Sequence, residues 1–179
     1  MQNNLELATF AGGCFWCTEA IFKRVKGVTK VTSGYSGGTV ENPTYEQVCR
    51  KDTGHAEAIQ LEFDPQVITY SDLVEIFFNI HDPTSLNRQG NDEGPQYRSV
   101  IFYHSEEQKK QAEDIKNTFE ANKKFGKPIV TKIEEFKNFY VAEKYHQDFF
   151  ENNQTFPYCQ VIIEPKVRKF MESYKNVTK

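Results

Sequence analysis

Leu5-Glu6-Leu7-Ala8-Thr9-Phe10, followed by Gly12-Gly13 and then Cys14-Phe15-Trp16-Cys17, sets the frame for the rest of the chain. The first six residues alternate apolar with polar or small side chains, which suits a strand, and the glycine pair breaks it with a turn. From Cys14 to Val25, Phe15, Glu19, Phe22 and Val25 recur at helical intervals and Gly27 is placed to close the helix. The unit is strand, glycine turn, helix, with a cysteine at the first helical turn.

Downstream, Val28 to Tyr35 is β-branched and aromatic and Ser36-Gly37-Gly38 turns it; a polar loop leads to a short helix, Tyr45 to Cys49. Ala56 to Phe63 alternates as a strand that Asp64-Pro65 ends. Ser71-Asp72 is the expected cap of a helix with apolar face Leu73, Ile76, Phe77 and Ile80, stopped by His81-Asp82-Pro83. Thr84 to Gln96 reads as a long loop, the kind that is often functional in a compact domain. Strands are expected at Arg98 to Tyr103 and Ile129 to Phe136, and helices at Ser105 to Lys123, with Ser105 and Gln108 as a capping box, and at Ala142 to Phe150. Lys166 to Tyr174 reads as a surface helix. This irregular alternation predicts an α+β fold, a two-layer mixed sheet with flanking helices and a ferredoxin-like core. At 179 residues, a single catalytic domain spanning 1–179 is expected.

Charged residues make up 26% of the chain at a net charge of only -3, so no basic field is available for nucleic acid. Met1 to Phe10 carries no basic head, and no run of about 18 apolar residues occurs anywhere. A soluble, cytoplasmic protein without membrane contact is the expectation, and a monomer. Four cysteines, only two of them close together, are not the framework of a secreted mini-domain.

A cysteine at a helix start faces free N–H groups and the positive end of the macrodipole, which favours the thiolate; Cys14 is so placed. Gly12 and Gly13 serve either an ordinary turn or close substrate approach. Phe15 and Trp16 are either core residues or the walls of an apolar pocket. Cys17, three residues after Cys14, suits thiol-disulfide chemistry better than zinc, because neither Cys49 nor Cys159 has a paired partner to complete four ligands.

Five motifs occur in order: Gly13-Cys14-Phe15-Trp16-Cys17, Thr44-Tyr45-Glu46-Gln47-Val48-Cys49, Gly54-His55-Ala56-Glu57, Asn87-Arg88-Gln89-Gly90-Asn91-Asp92 and Gln96-Tyr97-Arg98-Ser99. Together they resemble the methionine sulfoxide reductase A family over roughly residues 5 to 165. The resemblance implies reduction of the S epimer of methionine sulfoxide, free or in proteins, as repair after oxidation. It implies no bound cofactor or metal, with thioredoxin or a dithiol as external reductant. It makes Cys14 the nucleophile, Phe15 and Trp16 the methyl pocket, and Glu57 the acid that protonates the departing oxygen. Tyr45 and Tyr97 become hydrogen-bond donors to that oxygen. Asp92 helps fix the substrate, and His146 borders the pocket. Taken singly, each residue also has a plain reading: a strand glutamate facing water, half-buried tyrosines, a turn aspartate, and structural histidines at 55 and 146.

The chain departs from the commoner family pattern, which has glycine at the position of Cys17 and resolving cysteines in a glycine-rich C-terminal tail. After Tyr158-Cys159-Gln160 this sequence continues as Val161-Ile162-Ile163-Glu164-Pro165. Cys17 is therefore expected to resolve the Cys14 sulfenic acid, with Cys159 its rival and Cys49 a small buried hydrophobe. A general thiol-disulfide oxidoreductase and a non-catalytic module that binds oxidised methionine are the competing readings.

Overall fold

A computed structural model describes residues 4–179, so Met1 to Asn3, the start of the stretch read for a leader, lie outside the described residues. In chain order the strands are β1 (Glu6–Ala11), β2 (Val28–Ser36), β3 (Ala56–Phe63), β4 (Arg88–Gln89), β5 (Asp92–Glu93), β6 (Val100–Tyr103), β7 (Lys132–Glu135) and β8 (Tyr140–Val141). The helices are α1 (Phe15–Phe22), α2 (Tyr45–Cys49), α3 (Tyr70–Ile80), α4 (Glu106–Ala121), α5 (Phe149–Asn152) and α6 (Glu164–Ser173).

Six strands form one sheet in the order β7-β6-β1-β3-β2-β8, and β4 and β5 make a separate small hairpin. The pairings of β1 with β3 and β6, and of β2 with β3 and β8, are antiparallel, while β6 and β7 run parallel. β1-α1-β2-β3-α3-β6 with strand order β6-β1-β3-β2 is a ferredoxin-like core, as expected, extended at both edges.

The two layers follow from the alternation of side chains along each strand. Phe10 of β1 stacks on Phe77 of α3 at 4.9 Å and meets Phe22 of α1 at 5.6 Å, so both helices cover one face of the sheet. Ala11, Ala56, Ala58, Val100 and Phe102 point to the other face, under Phe136 and Phe139. On β3, Ile59, Leu61 and Phe63 lie in the helix-side core. Glu57, two residues before Ile59, therefore faces the helices as well.

Several boundaries differ from the sequence reading. α3 is capped by Thr69, whose hydroxyl accepts from Asp72 N–H while the Asp72 carboxylate accepts from Thr69 N–H; Asp72 completes a box that starts two residues before Ser71. Ser105 does cap α4, but Gln108 reaches back to His104 N–H and not to Ser105. Residues 142–150 are not one helix: a tight turn at Lys144–His146 precedes α5, and Asp148 between them has φ +55. The loop 84–96 is organised by the β4/β5 hairpin, and a tight turn, Pro95–Tyr97, follows it. The last helix is not a free surface helix, since Val167 and Phe170 are buried; a wide π-type turn, Cys159–Ile163, leads into it.

The β1-to-α1 turn is tied down where the chemistry is expected. Gly13 has φ +79, and its N–H donates to the Tyr97 carbonyl at 3.2 Å. A Cβ there would lie 2.9 Å from Gln89 Cγ. Gly13→Ala is expected to cost about 1–2 kcal/mol from the left-handed backbone alone. For a chain of this length that lowers the melting temperature by about 2–8 °C. Thermal denaturation checks this; an unchanged midpoint would mean that the turn relaxes freely.

Candidate active site

α1 begins at Phe15, with Cys14 as its N-cap residue in an extended conformation and making no capping bond through its sulfur. The free N–H at the helix start is taken by another group: Phe15 N–H donates to Glu57 Oε2 at 3.1 Å. Glu57 is 2% exposed, which removes the reading of a strand glutamate facing water. Burial pushes its carboxyl up to about 8; the Phe15 N–H pulls the other way, and Asp92 and Cys17 add to the rise. The carboxyl is thus held protonated at neutral pH beside the cysteine turn.

The expected thiolate at Cys14 meets the same environment with the opposite consequence. Cys14 is 8% exposed, and burial raises its thiol well above the ordinary range, helped by Cys17 and Glu57. The helix start favours an anion, but desolvation outweighs it. Cys17 is lowered, first by a hydrogen bond with Cys14, against its own burial, and further by Lys166 and Tyr158. Of the two, Cys14 holds its proton more tightly and Cys17 is the easier to ionise. Placement at a helix N-terminus therefore does not by itself make Cys14 the anion.

Phe15 is a core residue, 1% exposed, whereas Trp16 is only half-buried. The Trp16 indole stacks on Phe149 at 3.7 Å with planes 7° apart, meets Tyr158 edge-on, and donates its Nε1–H to His146 Nδ1 at 3.0 Å. His146 is fully buried against Phe15, Tyr45 and Tyr145, with its Nε2 unpartnered. The accepted indole hydrogen requires a bare Nδ1, and burial lowers the ring's pKa in keeping with that. His146 thus holds the tryptophan in place. Tyr45 and Tyr97 are half-buried, and burial raises both phenols, with Glu57 the next contribution in each case. Tyr45 is anchored through its N–H to Glu143, which also accepts from Tyr35 Oη.

Asp92 is not free: its Oδ2 accepts from Tyr158 Oη–H at 2.6 Å. Tyr158 Oη also lies 3.9 Å from Cys17 Sγ. The structure thus gathers Cys14, Cys17, Glu57, Tyr45, Tyr97, Phe15, Trp16, Asp92 and His146 around one turn. The sequence reading missed Phe149, Tyr158 and Lys166. Tyr158 adjoins a cysteine and Phe149 follows His146 by three, yet no periodicity marks either. Cys49 is half-buried beside Tyr45, not the buried hydrophobe expected, and His55 is a structural histidine, with Nδ1 accepting from Gly38 N–H and Nε2 against the Val40 carbonyl.

The profile of the family described as peptide methionine sulfoxide reductase matches residues 6–178. The chain belongs to that family. It is 61% identical over 172 residues to peptide methionine sulfoxide reductase MsrA of Sulfolobus acidocaldarius, covering 96% of this chain and 97% of the relative. Among solved structures, Mxr1 from Saccharomyces cerevisiae in reduced form is similar at TM-score 0.80 and 38% identity, covering 89% of this chain and 91% of that one. Mxr1 in complex with Trx2 is similar at TM-score 0.58 and 32% identity, covering 83% and 87%. The chain is accordingly a peptide methionine sulfoxide reductase, a thiol-dependent oxidoreductase that returns methionine sulfoxide to methionine.

For this reductase the buried acids carry a stability cost whose sign is fixed. A carboxyl raised from 4.5 to about 8 stays neutral in the folded state while the unfolded chain ionises. Unfolding then releases a proton, so stability falls as pH rises from about 4.5 to about 8. Glu19, 1% exposed and pushed up to about 7 by burial, acts in the same direction up to that pH. Glu57→Gln is expected to lose less stability between pH 5 and pH 8 than the native chain, by a few kcal/mol at about 1.4 kcal/mol per pH unit. Urea unfolding at both values measures it, and parallel curves for the two proteins would contradict a buried neutral Glu57.

Proposed function

We propose that Cys14 attacks the sulfur of the S epimer of methionine sulfoxide, free or within proteins, while Glu57 protonates the departing oxygen. The observation that carries this reading is the Glu57 carboxyl, kept neutral by burial and fixed to the first N–H of α1 next to the Cys14 sulfur. A sulfoxide oxygen leaves only as it is protonated, and an acid with a pKa near 8 is still loaded at neutral pH. Tyr45 and Tyr97 donate to the same oxygen, both phenols being held neutral. Phe15 and Trp16 take the methyl group, with Phe149 and His146 fixing the indole plane. Asp92 receives the polar part of the substrate once Tyr158 gives it up.

In the first step the Cys14 sulfur is oxidised by two electrons and the sulfoxide sulfur is reduced by two, giving methionine and Cys14 sulfenic acid. In the second, the Cys17 sulfur attacks Cys14, an S–S bond forms, the S–O bond breaks and the oxygen leaves as water. The pairing of the two cysteines by a shared hydrogen bond supports Cys17 as the resolving residue over Cys159. A thioredoxin-type protein then reduces the disulfide; the complex of the similar Mxr1 with Trx2 supports that class of reductant. The proposed enzyme works as a single cytoplasmic catalytic domain and a monomer, without a bound cofactor.

Reduction of a racemic methionine sulfoxide peptide with dithiothreitol, epimers resolved by chromatography, tests the reading. The native chain is expected to consume only the S epimer and Cys14→Ser to consume neither. Glu57→Gln should be slower by about 10²–10⁴ at neutral pH, and the gap between it and the native chain should narrow as pH rises past about 8, where the native carboxyl loses its proton. Insulin reduction without sulfoxide turnover would favour general disulfide exchange, and retention of the S epimer by both Cys14→Ser and an inactive native chain would favour a binding module. Peptide mapping of the once-oxidised protein should show a Cys14–Cys17 link, and a Cys14–Cys159 link would overturn the role of Cys17.

A further inference from the structure

The sulfur of Cys17 faces groups from several elements. Cys14, Glu57, Asp92 and Tyr158 act on it, as do Cys159 from the wide turn and Lys166 from α6. Only Lys166 among them is cationic; its Nζ lies 4.0 Å from Cys17 Sγ. The phenol at 3.9 Å has a single hydrogen, and its shorter contact, 2.6 Å, is with Asp92, so its help to the sulfur is partial. Among the described residues Lys166 forms no ion pair with a carboxylate. Its side chain is half-buried and lines a cleft of about 610 Å³ shared with Asp82, Lys127 and Lys169, so water reaches it from that side. A cation with no carboxylate partner, aimed at a sulfur and hydrated from behind, is not explained by the packing of α6, whose buried residues are Val167 and Phe170.

We propose that Lys166 is a positioning residue for disulfide formation, holding Cys17 as a thiolate directed at the sulfenic acid of Cys14. The proposal rests on Cys17 being the resolving cysteine. During the first step Cys14 supplies a hydrogen bond to Cys17; once Cys14 is oxidised that thiol hydrogen is gone, and Lys166 becomes the principal group favouring the anion. The thiolate then attacks the sulfenic sulfur, the S–O electrons leave with oxygen as hydroxide, and one proton from the site or solvent completes water.

The test is a single turnover of the full chain with excess methionine sulfoxide and no reductant, quenched at intervals with a sulfenic-acid-trapping dione and followed by mass spectrometry from pH 6 to pH 9. Native protein is compared with Lys166→Met, Lys166→Arg and Cys17→Ser. A tenfold loss of thiolate per unit rise in Cys17 pKa is partly offset by a more basic sulfur. Lys166→Met should therefore lengthen the sulfenic acid lifetime near neutral pH by about three- to fivefold for each such unit. The pH midpoint of disulfide formation should move upward in Lys166→Met, and Lys166→Arg should restore both lifetime and midpoint. Equal lifetimes and midpoints in native and Lys166→Met would overturn the proposal, as would a variant that slows methionine release and disulfide closure by one common factor with no shift in midpoint. If Cys17→Ser closes a disulfide at the native rate, the assignment of Cys17 itself fails, and that result is independent of the Lys166 variants.

Discussion

A buried hydrogen bond joins the sheet to the start of α1: the Phe15 N–H on Glu57 Oε2. It places an N–H from the first turn of α1 on a carboxyl from β3, a central strand, which fixes the phase of the helix relative to that strand. Cys14, Phe15 and Trp16 then have their positions set by the helix they begin. The bond also sets the charge pattern of the site. The carboxyl stays in a buried place and yet remains neutral, because the helix start offsets only part of the desolvation. The Cys14 thiol occupies the same low-dielectric region and keeps its proton for the same reason.

The cysteine pair divides what a single residue cannot combine. A nucleophile enclosed with an acid and apolar walls gains a dry, ordered site, but an anion there is costly. Cys17, one helical turn further on, lies within reach of a lysine and a phenol and can hold negative charge more readily. Glu57, the proposed acid, and Cys14, the proposed nucleophile, are both held protonated by burial. Buried carboxyls at Glu57 and Glu19 weaken the fold as pH rises, a conflict between stability and function that local packing leaves in place.

Most of the core is legible in the sequence because its signals are local. The β3 alternation, the short α2 helix and the stop at His81-Asp82-Pro83 each depend on a few adjacent residues, and the structure keeps them. The side of the sheet on which Glu57 lies is implicit in its spacing from Ile59, Leu61 and Phe63, but that reading requires knowing which face α1 and α3 cover. The protonation of Cys14 is not legible, because a macrodipole can be inferred from sequence and desolvation cannot. Residues 142–150 mislead for a related reason: their path is held by long-range bonds, Glu19 to Asp148 N–H and Gln147 to Ser33, where helical spacing predicts a single element. Thr69 and Ser71 are both plausible caps, and the position of Asp72 decides between them.

The wide turn at Cys159–Ile163 has a consequence for helical phase. Tyr158 and Lys166 are eight residues apart in a stretch that winds continuously from Tyr158 into α6. On an unbroken α-helix at 3.6 residues per turn, such a pair points about 80° apart. A π-type turn absorbs one residue, so the spacing behaves as seven, close to two full turns, and both side chains project towards the same sulfur. Winding the same residues as ordinary α-helix, with none removed, would rotate everything after the turn by about 100°. The extra residue held in the turn is therefore what lets a phenol and an ammonium group on one helical stretch face a single sulfur.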